Sequence, residues 1–302
     1  MTLVVNQAET RAALPFPALI EALKSAFIQG ADVPLRHRHS LPNDATLLLM
    51  PAWQNTAALG VKIVTVHPTN SSLGLNAVHS TYLLADGKTG RPLALIDGQE
   101  LTARRTAAAS ALAGTYLARP DSATLLICGA GHIGSLMHEA WSAIRPITRT
   151  LIWTRRPEQA EALAARLPNA TAVENLESAV READIISTAT LATTPLIHGA
   201  WLRPGTHLDL IGAYRPDMRE ADDTALARAR IFIDTPAAPA ESGDLPPGTE
   251  IAGDLAALCK NEIPGRTAPG DITLFKSVGS AIEDLAAAML IWRETKPYGT
   301  PT

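Results

Sequence analysis

Apolar and polar positions along the chain fall into two regimes. In the first, Leu19, Ile20, Leu23 and Phe27 recur at three- and four-residue intervals, which predicts a helix over residues 15–30. From 31 to 98 the apolar runs shorten and turn residues multiply. Segments 46–50, 60–66, 81–85 and 92–97 read as strands, separated by turn chemistry such as Asp86-Gly87-Lys88-Thr89-Gly90. A long Ala-rich helix is predicted over 101–118. In the second regime strands and helices alternate. Strand 124–128, helix 132–143, strand 150–154, helix 157–166, a short strand near 170–173 and helix 176–182 come in turn, then strands 184–187, 207–211 and 230–234. A strand that reaches its neighbour through a helix lies parallel to it, so this series predicts a doubly wound sheet. Residues 235–249 read as a Pro-rich loop, 250–258 as a helix and 276–295 as a closing helix rich in Ala, Leu, Ile and Met.

The first strand of that series runs into a glycine pattern, Thr124-Leu125-Leu126-Ile127-Cys128-Gly129-Ala130-Gly131-His132-Ile133-Gly134. Strand, Gly-x-Gly-x-x-Gly and helix in that order suit a dinucleotide. Gly129 permits the tight turn, Gly131 lets backbone approach a pyrophosphate, and Gly134 lets helix pack on strand, while the helix N-terminus offers free N–H groups to phosphate. The bland alternative is a tight strand–helix turn without a ligand. The fold class expected is therefore α/β, with a Rossmann doubly wound parallel sheet over 117–276. An α+β domain of 1–116, completed by 277–302, stands beside it.

The end of the second strand is where such folds meet the adenosine ribose. An acid there favours NAD, and arginine accommodates the extra phosphate of NADP. This chain reads Thr154-Arg155-Arg156-Pro157, with no acid at that place. Two forked guanidinium groups suit a phosphate, so NADPH is expected over NADH, with NADH still possible. Two solvated arginines ahead of a helix are the plainer reading.

Composition narrows the class. The chain has 302 residues, enough for two domains, with 46% hydrophobic and 19% charged residues. A net charge of −4 argues against an electrostatic nucleic-acid partner. Two cysteines, Cys128 and Cys259, are too few for a disulfide framework. The N-terminal residues show no signal-peptide pattern, and no apolar stretch is long enough to span a bilayer. A cytoplasmic protein is expected.

Further segments carry a resemblance. Gly60-Val61-Lys62-Ile63-Val64, Asp97-Gly98-x-x-Leu101-Thr102-Ala103-x-Arg105-Thr106-Ala107-Ala108 and the glycine turn occur in order. Gly212-Ala213-Tyr214-Arg215-Pro216-Asp217-x-Arg219-Glu220 and Phe275-Lys276-Ser277-Val278-Gly279-x-Ala281-x-Glu283-Asp284 follow. Together, from about residue 30 to 292, they resemble the ornithine cyclodeaminase/mu-crystallin family. The resemblance implies a homodimer. It also implies a first domain for substrate and dimer contact and a second for the nicotinamide cofactor. It brings in cyclodeaminases, an alanine dehydrogenase type, ketimine reductases and reductases of Δ1-pyrroline-2-carboxylate and Δ1-piperideine-2-carboxylate.

Residue by residue, the resemblance places Arg36, Lys62 and Arg105 at the substrate carboxylate or beside the nicotinamide. The chemistry agrees, since a guanidinium holds a carboxylate in two bonds and a charge within an apolar strand needs a reason. Alone, each has an ordinary reading: a loop charge, an edge-strand lysine and a helix-surface arginine. His79 falls near the implied substrate pocket, or is a core histidine. His132 and Ile133 fall at the pyrophosphate turn, Thr154, Arg155 and Arg156 at the ribose, and Thr188, Thr190 and Ser277 along the cofactor. Where the cyclodeaminases of this family carry Gly-Gly-Asp, with the Asp in acid–base work, this chain has Gly212-Ala213-Tyr214. A phenol is a poor general base near neutral pH. The expected reaction is thus NAD(P)H-dependent reduction of cyclic ketimines, with Lys62 and Arg105 as catalytic residues. A cyclodeaminase-type lyase, an amino-acid dehydrogenase and a non-catalytic NADPH-dependent binding protein are the alternatives. His37-x-His39 has no third ligand nearby, so no metal is expected, and Ser242-Gly243-Asp244 is a conspicuous turn with no assigned role.

Overall fold

The computed structural model describes residues 2–296; the predicted domain segment 297–302 lies outside them. The chain divides into two compact units, one running to Arg105 and resuming at Ser280, the other Thr106–Gly279.

The first unit opens with β1 (Leu3–Val5), α1 (Gln7–Ala13) and α2 (Phe16–Gln29). Asn6 and Glu9 cap α1 reciprocally, side chain to backbone, at 3.1 and 2.9 Å. On α2, Phe16, Leu19, Ile20, Leu23 and Phe27 are all buried. The helix stops at Gly30, whose φ of 77° is open to glycine at little strain. Next come β2 (His37–Ser40), β3 (Thr46–Gln54), β4 (Ala58–Val66), β5 (Val78–Asp86) and β6 (Pro92–Asp97), then α3 (Gly98–Leu117), which carries the chain into the second unit. Among the described residues the sheet has six strands in the order β1-β6-β5-β4-β3-β2. All pairs are antiparallel except β1 with β6. Its inner face, with Met50, Gly60, Lys62, Val64, Tyr82, Leu84, Ala94 and Ile96, is buried. The closing helix α10 (Ala281–Thr295) packs on α2, β3 and β4.

The second unit alternates as predicted: β7 (Thr124–Cys128), α4 (Gly134–Ser142), β8 (Arg149–Trp153), α5 (Pro157–Ala164), β9 (Ala170–Ala172), α6 (Leu176–Glu182), β10 (Ile185–Thr188) and β11 (His207–Leu210). α7 (Asp223–Arg228), β12 (Ala229–Ile233), α8 (Ala238–Glu241), β13 (Gly253–Asp254), α9 (Leu255–Cys259) and β14 (Ile272–Lys276) complete it. All eight strands pair in parallel, in the order β13-β12-β14-β11-β10-β7-β8-β9. Strand order reverses between β7 and β10, the place where doubly wound sheets bind ligands.

Three sequence expectations change. β14 falls on a stretch with no predicted element, apart from Lys276 at the start of the expected closing helix, yet it lies inside the sheet between β11 and β12. All five of its residues are buried, so no alternation marks it. The helix expected over 250–258 begins only at Leu255, where the Asp254 carboxylate accepts from the Ala257 N–H at 2.8 Å; Gly253 and Asp254 pair with β12 instead. The loop 235–249 contains α8.

Candidate active site

Three chain segments meet on the inner face of the six-stranded sheet. β4 brings Lys62, the start of α3 brings Arg105, and the first turn of α10 brings Glu283 and Asp284. All four are buried. Lys62 Nζ lies 3.0 and 2.8 Å from the two Asp284 carboxylate oxygens. Arg105 donates from Nε to Asp284 at 2.8 Å and from Nη1 to Glu283 at 2.6 Å. Asp284 therefore joins the two cations, and neither the edge-strand nor the surface-helix reading applies to them. Neighbouring Arg104 is buried too. Its Nε donates to the Leu14 carbonyl at 2.8 Å, and its guanidinium lies 4.3 Å from the Phe16 ring centroid.

Burial lowers the Lys62 pKa to about 8, opposed by the charge of Asp284 and helped by those of Arg105 and Arg36. Arg36, half-buried just before β2, thus belongs to the electrostatic surroundings of Lys62. Tyr82 stands directly across from Lys62 in the β4–β5 register, with its hydroxyl buried against Gly60. A Cβ at Gly60 would lie 2.0 Å from that oxygen, so only glycine leaves the phenol its place. Burial and the charge of Asp284 keep Tyr82 protonated far into alkali. His79 is set apart from this cluster. It is exposed and alternates with Tyr82 along β5, so it lies on the outer sheet face, opposite Lys62.

Glu283, Asp284 and Tyr82 were not singled out as site residues. Two acids in the first turn of a helix are ordinary complements to its dipole, and nothing local marks these as buried partners of Lys62 and Arg105.

In the second unit the glycine turn joins β7 to α4. Gly129 has φ of 109°, and a Cβ there would come 2.6 Å from the Ala189 carbonyl. A Cβ at Gly134 would lie 2.0 Å from the Gly129 carbonyl, whereas at Gly131 it would meet nothing within 4 Å. Two glycines are thus needed by the fold and the middle one opens space, as a pyrophosphate requires. His132 is exposed and Ile133 half-buried in this turn. Cys128, just before it, is buried, and burial drives its thiol pKa well up.

Thr154, Arg155 and Arg156 follow β8, and both arginines are exposed. The Thr154 hydroxyl donates to the Arg156 carbonyl at 2.5 Å. Thr188 ends β10 and is buried, Thr190 is two residues on, and Ser277 follows β14. The parallel strand order thus sets the turn, Arg155/Arg156, Thr190 and Ser277 all at the carboxyl ends of the strands. Tyr214, after β11, is 46% exposed. Among the described residues no three His, Cys, Asp or Glu side chains gather as a metal site, and His37 and His39 are exposed on β2.

A profile of the ornithine cyclodeaminase/mu-crystallin family matches residues 2–297. The chain belongs to this family. The Δ1-pyrroline-2-carboxylate reductase of Paracoccus denitrificans is 39% identical over 292 residues, covering 91% of each chain. The ketimine reductase mu-crystallin of Mus musculus is 37% identical over 248 residues, covering 81% of this chain and 79% of that protein. The structure of Thermococcus litoralis Δ1-pyrroline-2-carboxylate reductase in complex with NADH and L-proline superposes with a TM-score of 0.92 at 33% identity, over 100% of this chain and 99% of that one. For an ornithine cyclodeaminase/mu-crystallin family member, the α/β architecture with its parallel sheet is the shared fold.

Proposed function

We propose that this chain reduces the C=N bond of cyclic imino acids, Δ1-pyrroline-2-carboxylate and Δ1-piperideine-2-carboxylate, to proline and pipecolate. The observation that carries the reading is the buried Lys62–Asp284–Arg105 cluster, in a chain related over nearly its whole length to reductases of such imines. Arg36 and Arg105 are the groups suited to orient the substrate carboxylate. Lys62, with a pKa of about 8, is mostly protonated at neutral pH but holds its proton less firmly than an exposed lysine. It is suited to supply the proton that makes the imine carbon electrophilic, and Asp284 keeps the ammonium in place. A reduced nicotinamide, when bound, would supply the hydride for the carbon bearing the carboxylate, and the C=N π pair would become the nitrogen lone pair of the amine.

This assignment has a pH signature. Lys62 loses its proton as pH rises through about 8, so kcat/KM is expected to fall there. Asp284 raises the Lys62 pKa, so in Asp284→Asn the fall should move to lower pH. A pH–rate profile of both proteins checks this, and an unmoved alkaline limb would remove Lys62 from proton transfer.

For the cofactor we propose NADPH over NADH, because Arg155 and Arg156 follow β8 with no acid beside them. The direct test is loss of reduced-nicotinamide absorbance with each imine, with NADPH and NADH in parallel. Arg155→Ala/Arg156→Ala should lower kcat/KM for NADPH by about 10–10²-fold, the worth of one or two charge-assisted hydrogen bonds, and leave NADH nearly unchanged. No turnover of either imine with either dinucleotide would sink the reductase reading.

We further propose a homodimer formed through the outer face of the six-stranded sheet. Val4, Leu95 and Ile63 are exposed there beside half-buried Leu83, Val61, Leu49 and Leu47. A contiguous apolar face of this kind is a common mark of association. Ile63→Glu should shift the mass measured by light scattering from dimer to monomer. We propose a cytoplasmic location, because two buried cysteines, too few for a disulfide framework, suit a reducing compartment.

A further inference from the structure

The second unit buries a set of charges that neither the glycine turn nor imine chemistry uses. Glu220 is fully buried. One of its oxygens accepts from the Thr190 N–H at 2.8 Å and the Thr190 hydroxyl at 2.7 Å; the other accepts from the Gly212 N–H at 2.7 Å. Its carboxylate thereby ties the segment after β10 to the segment after β11. Asp244 then holds Glu220 itself, accepting from the Glu220 N–H at 2.7 Å and the Ala221 N–H at 3.3 Å. The other Asp244 oxygen lies 3.0 Å from Lys276 Nζ, at the end of β14. Both members of that ion pair are fully buried.

Backbone packing points the same way. A Cβ at Gly212 would lie 2.0 Å from the Thr190 carbonyl, and one at Gly243 would lie 2.4 and 2.5 Å from the Pro216 and Met218 carbonyls. The Ser242-Gly243-Asp244 turn is therefore pressed backbone to backbone against the segment that carries Glu220. Burying these charges is expensive, and burial pushes the Glu220 carboxyl up. Apolar side chains would hold three loops together at less cost, so the arrangement calls for a positional reason.

The sheet order supplies one. A dinucleotide lies across the carboxyl ends of the strands at the β7/β10 reversal, its adenosine half toward β8. The segments after β10, β11 and β14 therefore face the other half. We propose that Glu220, Asp244 and Lys276 are positioning residues that lock these three segments in the arrangement that receives the nicotinamide half of the cofactor. The proposal rests on the dinucleotide reading of the second unit, and it does not depend on which substrate is reduced.

The test compares a whole dinucleotide with one lacking nicotinamide. The full-length chain is titrated calorimetrically with NADPH and with 2′-phospho-ADP-ribose, and in parallel with NADH and ADP-ribose. In Glu220→Gln and Lys276→Met, the Kd for the preferred dinucleotide should rise about 10-fold or more. The Kd for the nicotinamide-free analogue should stay within about 2-fold. The double variant Asp244→Asn/Lys276→Met, which removes both charges together, should recover part of the loss of Lys276→Met. If Glu220→Gln does not fold, Asp244→Asn, which keeps an acceptor oxygen for the Glu220 N–H but removes the charge facing Lys276, should show the same selectivity, more weakly. Equal weakening of both ligands would overturn the proposal, because it would mean the network only holds the domain together. So would unchanged binding of both. A wild-type chain that binds neither ligand overturns the dinucleotide reading and this proposal with it. A wild-type chain that binds NADPH without reducing imines overturns only the substrate.

Discussion

Arg105→Ala should sharply lower imine reduction and destabilise the protein at once. Arg105 faces two buried carboxylates, Asp284 at 2.8 Å and Glu283 at 2.6 Å. Removing one partner of a buried ion pair leaves charge without compensation, which typically costs about 3–5 kcal/mol. The urea midpoint should fall accordingly. Activity should fall by roughly 10²-fold or more, because Asp284 also holds the Lys62 ammonium and a small misplacement of a reacting group has an effect of that size. Arg105→Lys separates the two losses. It keeps the charge, so most of the stability should return. It lacks the fork that reaches Glu283 and Asp284 together, so activity should stay low. Full activity in Arg105→Lys would show that the guanidinium geometry is not used. Full stability in Arg105→Ala would show that the cluster carries little net charge.

The same cluster shows where sequence reading stops. Lys62 and Arg105 were legible through the family resemblance; a charge in a Val- and Ile-rich strand or an Ala-rich helix agreed with it, but alone each had an ordinary reading. Their partners were not, because Glu283 and Asp284 lie more than 170 positions from either cation and at a helix start, where acids are ordinary. Most of the fold was legible: the alternation after residue 118 gave β7 to β12 within a residue or two. β14 was lost because Ile272-Thr273-Leu274-Phe275-Lys276 is buried throughout, so it shows neither a period of two nor one of 3.6. The Ser242-Gly243-Asp244 turn was conspicuous but mute. Its meaning lies in contacts with Glu220 and Lys276, and only packing reveals them. His79 shows the reverse case. Its place near the family's substrate pocket suggested a site, yet strand parity turns it to the opposite face from Lys62.

The glycine turn gives the second large prediction, because its glycines should fail in different ways. Gly131→Val introduces a side chain where a Cβ meets nothing within 4 Å, at an exposed position whose φ is not left-handed. Its stability should stay within about 0.5 kcal/mol of wild type, as for other surface substitutions. Its dinucleotide affinity should drop by roughly 10²-fold, since the branched side chain fills the space where backbone N–H groups would meet pyrophosphate, and one or two charge-assisted bonds are worth that much. Gly134→Ala is the smaller chemical change and should do more structural harm. Its methyl would lie 2.0 Å from the Gly129 carbonyl oxygen and 3.0 Å from its carbon, both backbone atoms at the tightest point of the turn. The strand and helix must part to admit it, which costs on the order of 1–3 kcal/mol. Thermal denaturation and calorimetric titration with NADPH and NADH measure both effects. Selective loss of binding in Gly131→Val, beside loss of stability in Gly134→Ala, is the expected pair. Unchanged affinity in Gly131→Val would mean that the open space beside Gly131 is not where phosphate sits, and the turn would then be only a tight connection between β7 and α4.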